Sequence, residues 1–315
     1  DSSAVVEQLS RGVVSVSHTC GACAAVKEEG TVVTWGRPDH GGDPGAAAEQ
    51  LQGGVASLHG NDFAFAAIKE QGAVVTWGHP RFGGDSSGPL SDQLAGGVVG
   101  ISCTGVAFAA LKESGAVVCW GERNRGGDCK SVAAQLESGI TSICGNAFAF
   151  AAVKSRGSVV TWGKASFGGE SGAVADELSS GVVSVKGTGG AFAALKEVHV
   201  GEPSVGGPPS LTSSQLVRCV SSSCGADVAL PHGGAVVTWG NDQNGGDSSF
   251  VADRLHDGVV SVCSSGVAFA ALKVEGAVVT WGSGADLGGA AESLAGGAVF
   301  LCGNCGALCA LKEKV

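Results

Sequence analysis

Short apolar runs separated by glycine recur along the whole chain. One cycle shows the pattern. Val98-Val99-Gly100-Ile101 is followed by a glycine turn, and Phe108-Ala109-Ala110-Leu111 comes next. A polar tip, Lys112-Glu113-Ser114-Gly115, leads into Ala116-Val117-Val118-Cys119-Trp120-Gly121. Runs this short, rich in Val, Ile and Phe and bounded by Gly, predict strands. The tips ending in Gly suit tight hairpins that need positive φ. The third run is apolar on successive positions rather than alternating, which predicts a strand covered on both faces. A variable tetrad follows it, then a Gly-Gly pair and a short helix-like stretch ending in Leu, such as Val132-Ala133-Ala134-Gln135-Leu136.

The repeat period sets the architecture. Trp-Gly pairs begin at Trp35, Trp77, Trp120, Trp162, Trp239 and Trp281, with gaps of 42, 43, 42, 77 and 42 residues. The long gap is expected to hide a degenerate copy in which Val200 replaces Trp. Gly201 to Gly207 matches Gly36 to Gly42 in layout. The predicted repeats are about 1–42, 43–84, 85–127, 128–169, 170–207 (degenerate), 208–246, 247–289 and 290–315 (partial). Such a series predicts a solenoid or a ring of radially packed three-stranded blades. The outermost repeats resemble interior ones rather than polar caps, which favours the ring. The expected fold is therefore an all-β propeller forming one domain over 1–315. Seven blades are expected, with an incomplete eight as the alternative.

Composition refines this picture. The 54 glycines among 315 residues fit many turns, and they do not recur every third residue as in collagen. A formal net charge of −10 argues against nucleic acid as a partner. No apolar run approaches the roughly 18 residues of a spanning helix. The chain opens on Asp1-Ser2-Ser3, within a repeat, which suggests a fragment or processed form.

The stretch Ala268-Phe269-Ala270-Ala271-Leu272-Lys273-Val274-Glu275-Gly276-Ala277-Val278-Val279-Thr280-Trp281-Gly282 resembles the RCC1 repeat. The resemblance extends over essentially the whole chain, in a compact short-repeat variant. It implies an RCC1-like β-propeller that binds partners through its faces. The Gly-Gly-Asp-Ser-Ser variant at Gly83 to Ser87 and Gly245 to Ser249 is similar to algal repeats. That similarity makes a photosynthetic membrane complex one candidate host and a plastid one candidate location.

Candidate residues fall into a few sets. Trp35, Trp77, Trp120, Trp162, Trp239 and Trp281 share one repeat position and are expected to pack between blades. Asp43, Asp85, Asp128, Glu170 and Asp247 follow Gly-Gly and are expected to N-cap short helices. Lys27, Lys69, Lys112, Lys154, Lys196, Lys273 and Lys312 recur at hairpin tips. They are expected to form a solvated rim, with anion attraction as the sharper alternative. The tetrads vary freely and carry Arg and aromatics in the early repeats. They supply the expected partner surface: Arg37, His40, Arg81, Phe82, Arg123, Arg125, Lys164 and Phe167.

The twelve cysteines are expected to be mainly unpaired thiols in a reducing compartment. Cys20, Cys23, Cys302 and Cys305 form two C-x-x-C pairs, a weak zinc candidate or an end-to-end disulfide. No resident metal or cofactor is expected. No nucleophile–base pair or phosphate loop stands out. The expected function is a non-catalytic scaffold for protein subunits, peripheral to a larger assembly and without a transmembrane segment of its own, docked in one form at a membrane complex. A regulator of a small GTPase is the alternative, and an enzyme or lectin using the central opening is a third reading.

Overall fold

The computed structural model describes residues 2–197, 230, 233–286, 288–304 and 306–312. The strands come in triplets. They are β1 (Val13–His18), β2 (Ala22–Lys27) and β3 (Val32–Gly36); β4 (Val55–Gly60), β5 (Ala64–Lys69) and β6 (Val74–Gly78); then β7 (Val98–Cys103), β8 (Ala107–Lys112) and β9 (Val117–Gly121). Next are β10 (Ile140–Gly145), β11 (Ala149–Lys154) and β12 (Val159–Gly163); β13 (Val182–Gly187), β14 (Ala191–Glu197) and β15 (Gly234–Gly240); and β16 (Val259–Ser264), β17 (Ala268–Lys273) and β18 (Val278–Gly282). A pair, β19 (Ala298–Gly303) and β20 (Leu308–Lys312), follows. Each triplet is an antiparallel meander, and the pairing Gly234↔Val259 joins β15 to β16. The chain divides into two compact units, Asp1–Phe150 with Trp162–Lys164, and Ala151–Thr161 with Ala165–Val315.

The strand that completes the β13–β14 sheet is Gly234–Gly240, with Phe192 opposite Trp239. The first two strands expected for the degenerate repeat 170–207 are therefore followed in their sheet by Gly234–Gly240, and Val200 itself lies outside the described residues.

Middle strands explain why successive sheets pack. β5 is buried along five consecutive positions, so both its faces are covered. Ala64, Ala66 and Ile68 point one way, onto Val98, Ile101, Phe108, Ala110 and Trp120 of the next sheet. Phe65 and Ala67 point the other way, toward Ala22, Ala24 and Val26. Small side chains on one face thus receive large ones from the neighbour, which allows close approach without voids. In the second compact unit, Ala191, Ala193 and Leu195 meet Val259, Val262, Phe269 and Trp281 in the same way.

A directional bond reinforces that packing. The Trp120 indole N–H donates to the Gly83 carbonyl at 3.1 Å, and Trp162 does the same to Gly126 at 3.1 Å. Trp77 to Gly41, Trp239 to Gly168 and Trp281 to Gly245 repeat the contact. Each of these indoles is buried and stacks on the Phe of its own middle strand, about 5 Å away, as in Phe150–Trp162 at 5.2 Å. Glycine is required at the receiving position. Gly126 has φ +102°, and a Cβ there would lie 2.6 Å from the Phe150 ring.

Three expectations change. Cys119 and Cys129 are joined by a disulfide, not left as free thiols. The loop after Trp120 folds back at Gly126-Gly127, so residues ten apart come to a Cα separation of 6.2 Å, within bonding reach. The Asp residues after Gly-Gly are not N-caps. Asp43, Asp85, Asp128 and Asp247 each accept the backbone N–H two residues on, closing a tight turn ahead of the helical stretch rather than capping it. Those bonds hold the Asp85 and Asp247 carboxyls below their ordinary range. Glu170 is exposed, and its longer side chain suits that turn less well.

The hairpin lysines are not simply solvated. Lys27, Lys112, Lys273 and Lys312 each donate to a backbone carbonyl nineteen residues earlier, at 2.6–2.8 Å. Lys69 reaches the carbonyls of Gln50 and Gly53, and Lys196 that of Glu177. The ammonium thereby satisfies the carbonyl end of a short helical turn.

Trp162→Phe removes the indole bond and part of the ring volume. It should destabilise the chain by about 2–3 kcal/mol in urea unfolding. The same change at half-buried Trp35 should cost about 1 kcal/mol or less. Equal losses at the two sites would contradict the packing account.

Candidate functional site

The variable tetrads sit against the turns that join the first and second strands of their own sheets. A single backbone bond fixes this in repeat after repeat. The residue after Trp-Gly donates to the turn: Arg37 to Gly21, His79 to Phe63, Glu122 to Val106 and Lys164 to Phe148. In the second compact unit Asn241 donates to Gly190 and Ser283 to Val267.

In four of these turns a buried polar side chain supplies a second tie. Thr19 donates to the His40 carbonyl at 3.1 Å, Asn61 to that of Phe82 at 2.7 Å and Thr104 to that of Arg125 at 3.1 Å. Thr188 donates to the Asn244 carbonyl at 2.9 Å. These residues were not singled out in the sequence. The available signal was a Thr, Asn or Ser recurring just after each first strand. Buried polar groups require such partners, so the tetrads are rigidly seated.

Within the first compact unit, six residues line a cavity of about 520 Å³: Arg81, Phe82, Glu122, Asn124, Arg125 and Lys164. Four of the expected surface residues therefore converge there. Two of these residues lie over the half-buried Phe148 ring, the Arg125 guanidinium 4.3 Å and the Lys164 ammonium 5.5 Å from its centre. Both distances fit cation–π attraction. Arg81 pairs with Glu122 at 2.5 Å and lies 5.7 Å from the Phe82 ring centre.

The remaining expected residues are placed differently. Arg37 is held by Asp39 of its own loop at 2.8 Å, and that bond, with a second from His40, lowers the Asp39 carboxyl to about 2. His40 is buried, 5.0 Å from the Phe63 ring centre, so it props the loop rather than presenting a side chain. Arg123 is exposed and does not line the cavity. Phe167 ends a single helical turn, Ala165–Phe167, half-buried in the second compact unit.

Phe63 and Phe148 were missed. They occupy a repeat position that elsewhere holds Gly or Val, at Gly21, Val106, Gly190 and Val267. Phe63 stacks between His40 and Phe82, 4.7 Å from the latter. The nearby His79 Nδ1 is buried without a partner.

Among the described residues, no three His, Cys, Asp or Glu side chains gather where they could hold a metal ion. Partial desolvation and then the neighbouring Asp62 carboxylate push the Cys20 thiol upward. Cys305 lies outside the described residues.

Among the described residues, four three-stranded antiparallel sheets and a six-stranded sheet of two joined meanders repeat the same Val-rich strand ending in Trp-Gly. The blades are those of an RCC1-like β-propeller. No family model matches the chain. No curated protein matches it. Among solved structures, the chain is similar to the ectodomain of the receptor kinase CR4 from Physcomitrella patens. Identity there is 15%, coverage is 94% of this chain and 69% of that one, and the TM-score is 0.46. Human WBSCR16 gives 12% identity, coverage of 97% and 88%, and a TM-score of 0.46. Prp20p of Saccharomyces cerevisiae gives 17%, 86% and 72%, and 0.40. These distant likenesses decide nothing about the site.

Proposed function

We propose that the chain is a non-catalytic protein-interaction module within a larger assembly, and that its partner docks over the Trp-Gly loops of repeats two to four. The cavity bounded by Arg81, Phe82, Arg125 and Lys164 carries this reading. Loop residues that differ from repeat to repeat are seated by backbone bonds that do not differ. Such a surface is preorganised, so binding loses little loop entropy. Exposed Arg beside aromatic rings is the composition of interface anchors. Among the described residues, no helix is long and apolar enough to cross a membrane. The proposed contact is with protein subunits, through the loop anchors just named. No feature of the loops selects a photosynthetic host or a GTPase over other partners.

Tagged chain recovered from its source cells, wild type beside Arg81→Glu/Arg123→Glu, tests the proposal. The wild type should retain a stoichiometric partner, and the double variant should retain at least about tenfold less at an unchanged melting temperature. Equal retention by the two would remove the loops from the interface.

A further inference from the structure

We infer that Glu122 is a positioning residue for the partner surface, holding the Arg81 guanidinium so that its terminal N–H groups meet main-chain carbonyl oxygens of the docked protein. This rests on the interaction reading above. Loops of successive repeats touch at one recurrent point. In the second compact unit Ser283, the first residue of its tetrad, donates to the carbonyl of Gln243, the third residue of the tetrad before it. Glu122 and Arg81 stand at the same two positions in the first compact unit. There the side chains make the contact, with Arg81 Nε–H donating to the Glu122 carboxylate at 2.5 Å. Where Glu122 stands, other repeats have Arg37, His79, Lys164, Asn241 and Ser283, so the acid is particular to the third repeat.

The two halves of this pair are unequal. The Glu122 side chain is 15% exposed and that of Arg81 70%. Glu122 is fixed by its surroundings. Its N–H donates to Val106, its carbonyl accepts from Arg125 and Gly127, and the Cys119–Cys129 disulfide closes the loop around it. Arg81 is the longer, exposed member, steadied further by the Phe82 ring at 5.7 Å. An ion pair with one member this exposed adds little to stability, so folding does not explain it.

Its consequence lies in direction. Nε–H is spent on Glu122, and among the described residues the four terminal N–H groups of Arg81 make no hydrogen bond. The guanidinium is planar, so holding Nε sets where those donors point. A side chain already held loses less rotamer freedom when a partner arrives. The pair is electrically neutral, and a partner carboxylate would meet the Glu122 charge beside Arg81. Main-chain carbonyl oxygens accept the same hydrogen bonds without that repulsion.

A double-mutant cycle on the tagged full chain tests this. The probe is the protein that the wild type retains from an extract of its source cells, quantified by mass spectrometry. Arg81→Ala and Glu122→Ala should each retain about tenfold less, and the double variant should match Arg81→Ala to within about twofold, because Glu122 acts only through Arg81. Arg81→Lys keeps a cation beside Glu122 but lacks the fork. It should melt as the wild type does and still retain about tenfold less. The ratio of wild-type to Arg81→Ala retention should hold between about 50 and 300 mM salt. In side-chain NMR the Arg81 Nε–H group should be ordered in the wild type and lose that order in Glu122→Gln, at an unchanged melting temperature.

Full retention by Glu122→Ala, losses that add in the double variant, or an equally ordered Arg81 Nε–H in Glu122→Gln overturns the inference. So does full retention by Arg81→Lys, which would make charge rather than the fork the binding element. A retention ratio that collapses at high salt assigns a carboxylate acceptor and overturns the main-chain one. If Arg81→Glu/Arg123→Glu loses the partner while the Glu122 variants keep it, the interaction surface stands and only the positioning role falls. If that chain also keeps its partner, the interaction reading itself has failed.

Discussion

A buried indole N–H that reaches back to the glycine carbonyl of the preceding repeat holds neighbouring sheets in register. Hydrophobic packing alone is non-directional and tolerates sliding between two apolar faces. The Trp–Gly bond does not. It exists only where a left-handed glycine turns its carbonyl inward and leaves no side chain between itself and the stacked Phe. The Gly-Gly pair, the Phe of the middle strand and the Trp of the third strand are three parts of one contact. That interdependence explains why these positions stay constant while the tetrads change.

The same contact creates the conditions for recognition. Once the first glycine is fixed, the four residues before it can only arch over the edge of the sheet. Their backbone is tied to the strand-one-to-two turn by one main-chain bond and one buried Thr or Asn. Side chains within the arch are left free to vary. In repeats two to four they bring Arg, Lys and Phe around a common space. In the second compact unit the corresponding loop Asn241 to Asn244 offers no basic or aromatic group.

Much of this was legible in the sequence, because the repeat multiplies every signal. The three apolar runs, the hairpin tips and the Trp position read directly as strands and turns. What escaped was the contact that joins positions through a turn. His40 reads as a displayed loop residue, yet the chain reversal at Gly41 buries it against Phe63. Asp247 after Gly-Gly reads as an N-cap, yet the cap position falls one residue later, at Ser248, so the carboxylate closes a turn instead. The lysines read as solvated, because nothing local marks a carbonyl nineteen residues upstream as their acceptor. Cys119 and Cys129 lie on opposite sides of a fold-back whose geometry is set by the glycines between them. Phe148 looked like one more turn residue until two cations were found on its ring.

The account makes each sheet dependent on the loop of the sheet before it. Backbone hydrogen exchange on Trp120→Phe, compared with the wild type, measures that dependence most directly. Protection should fall together in β9 and in the preceding repeat's loop from His79 to Gly84. If protection falls in β9 alone and the preceding loop exchanges as in the wild type, the sheets do not rely on the indole bond, and the central claim is wrong.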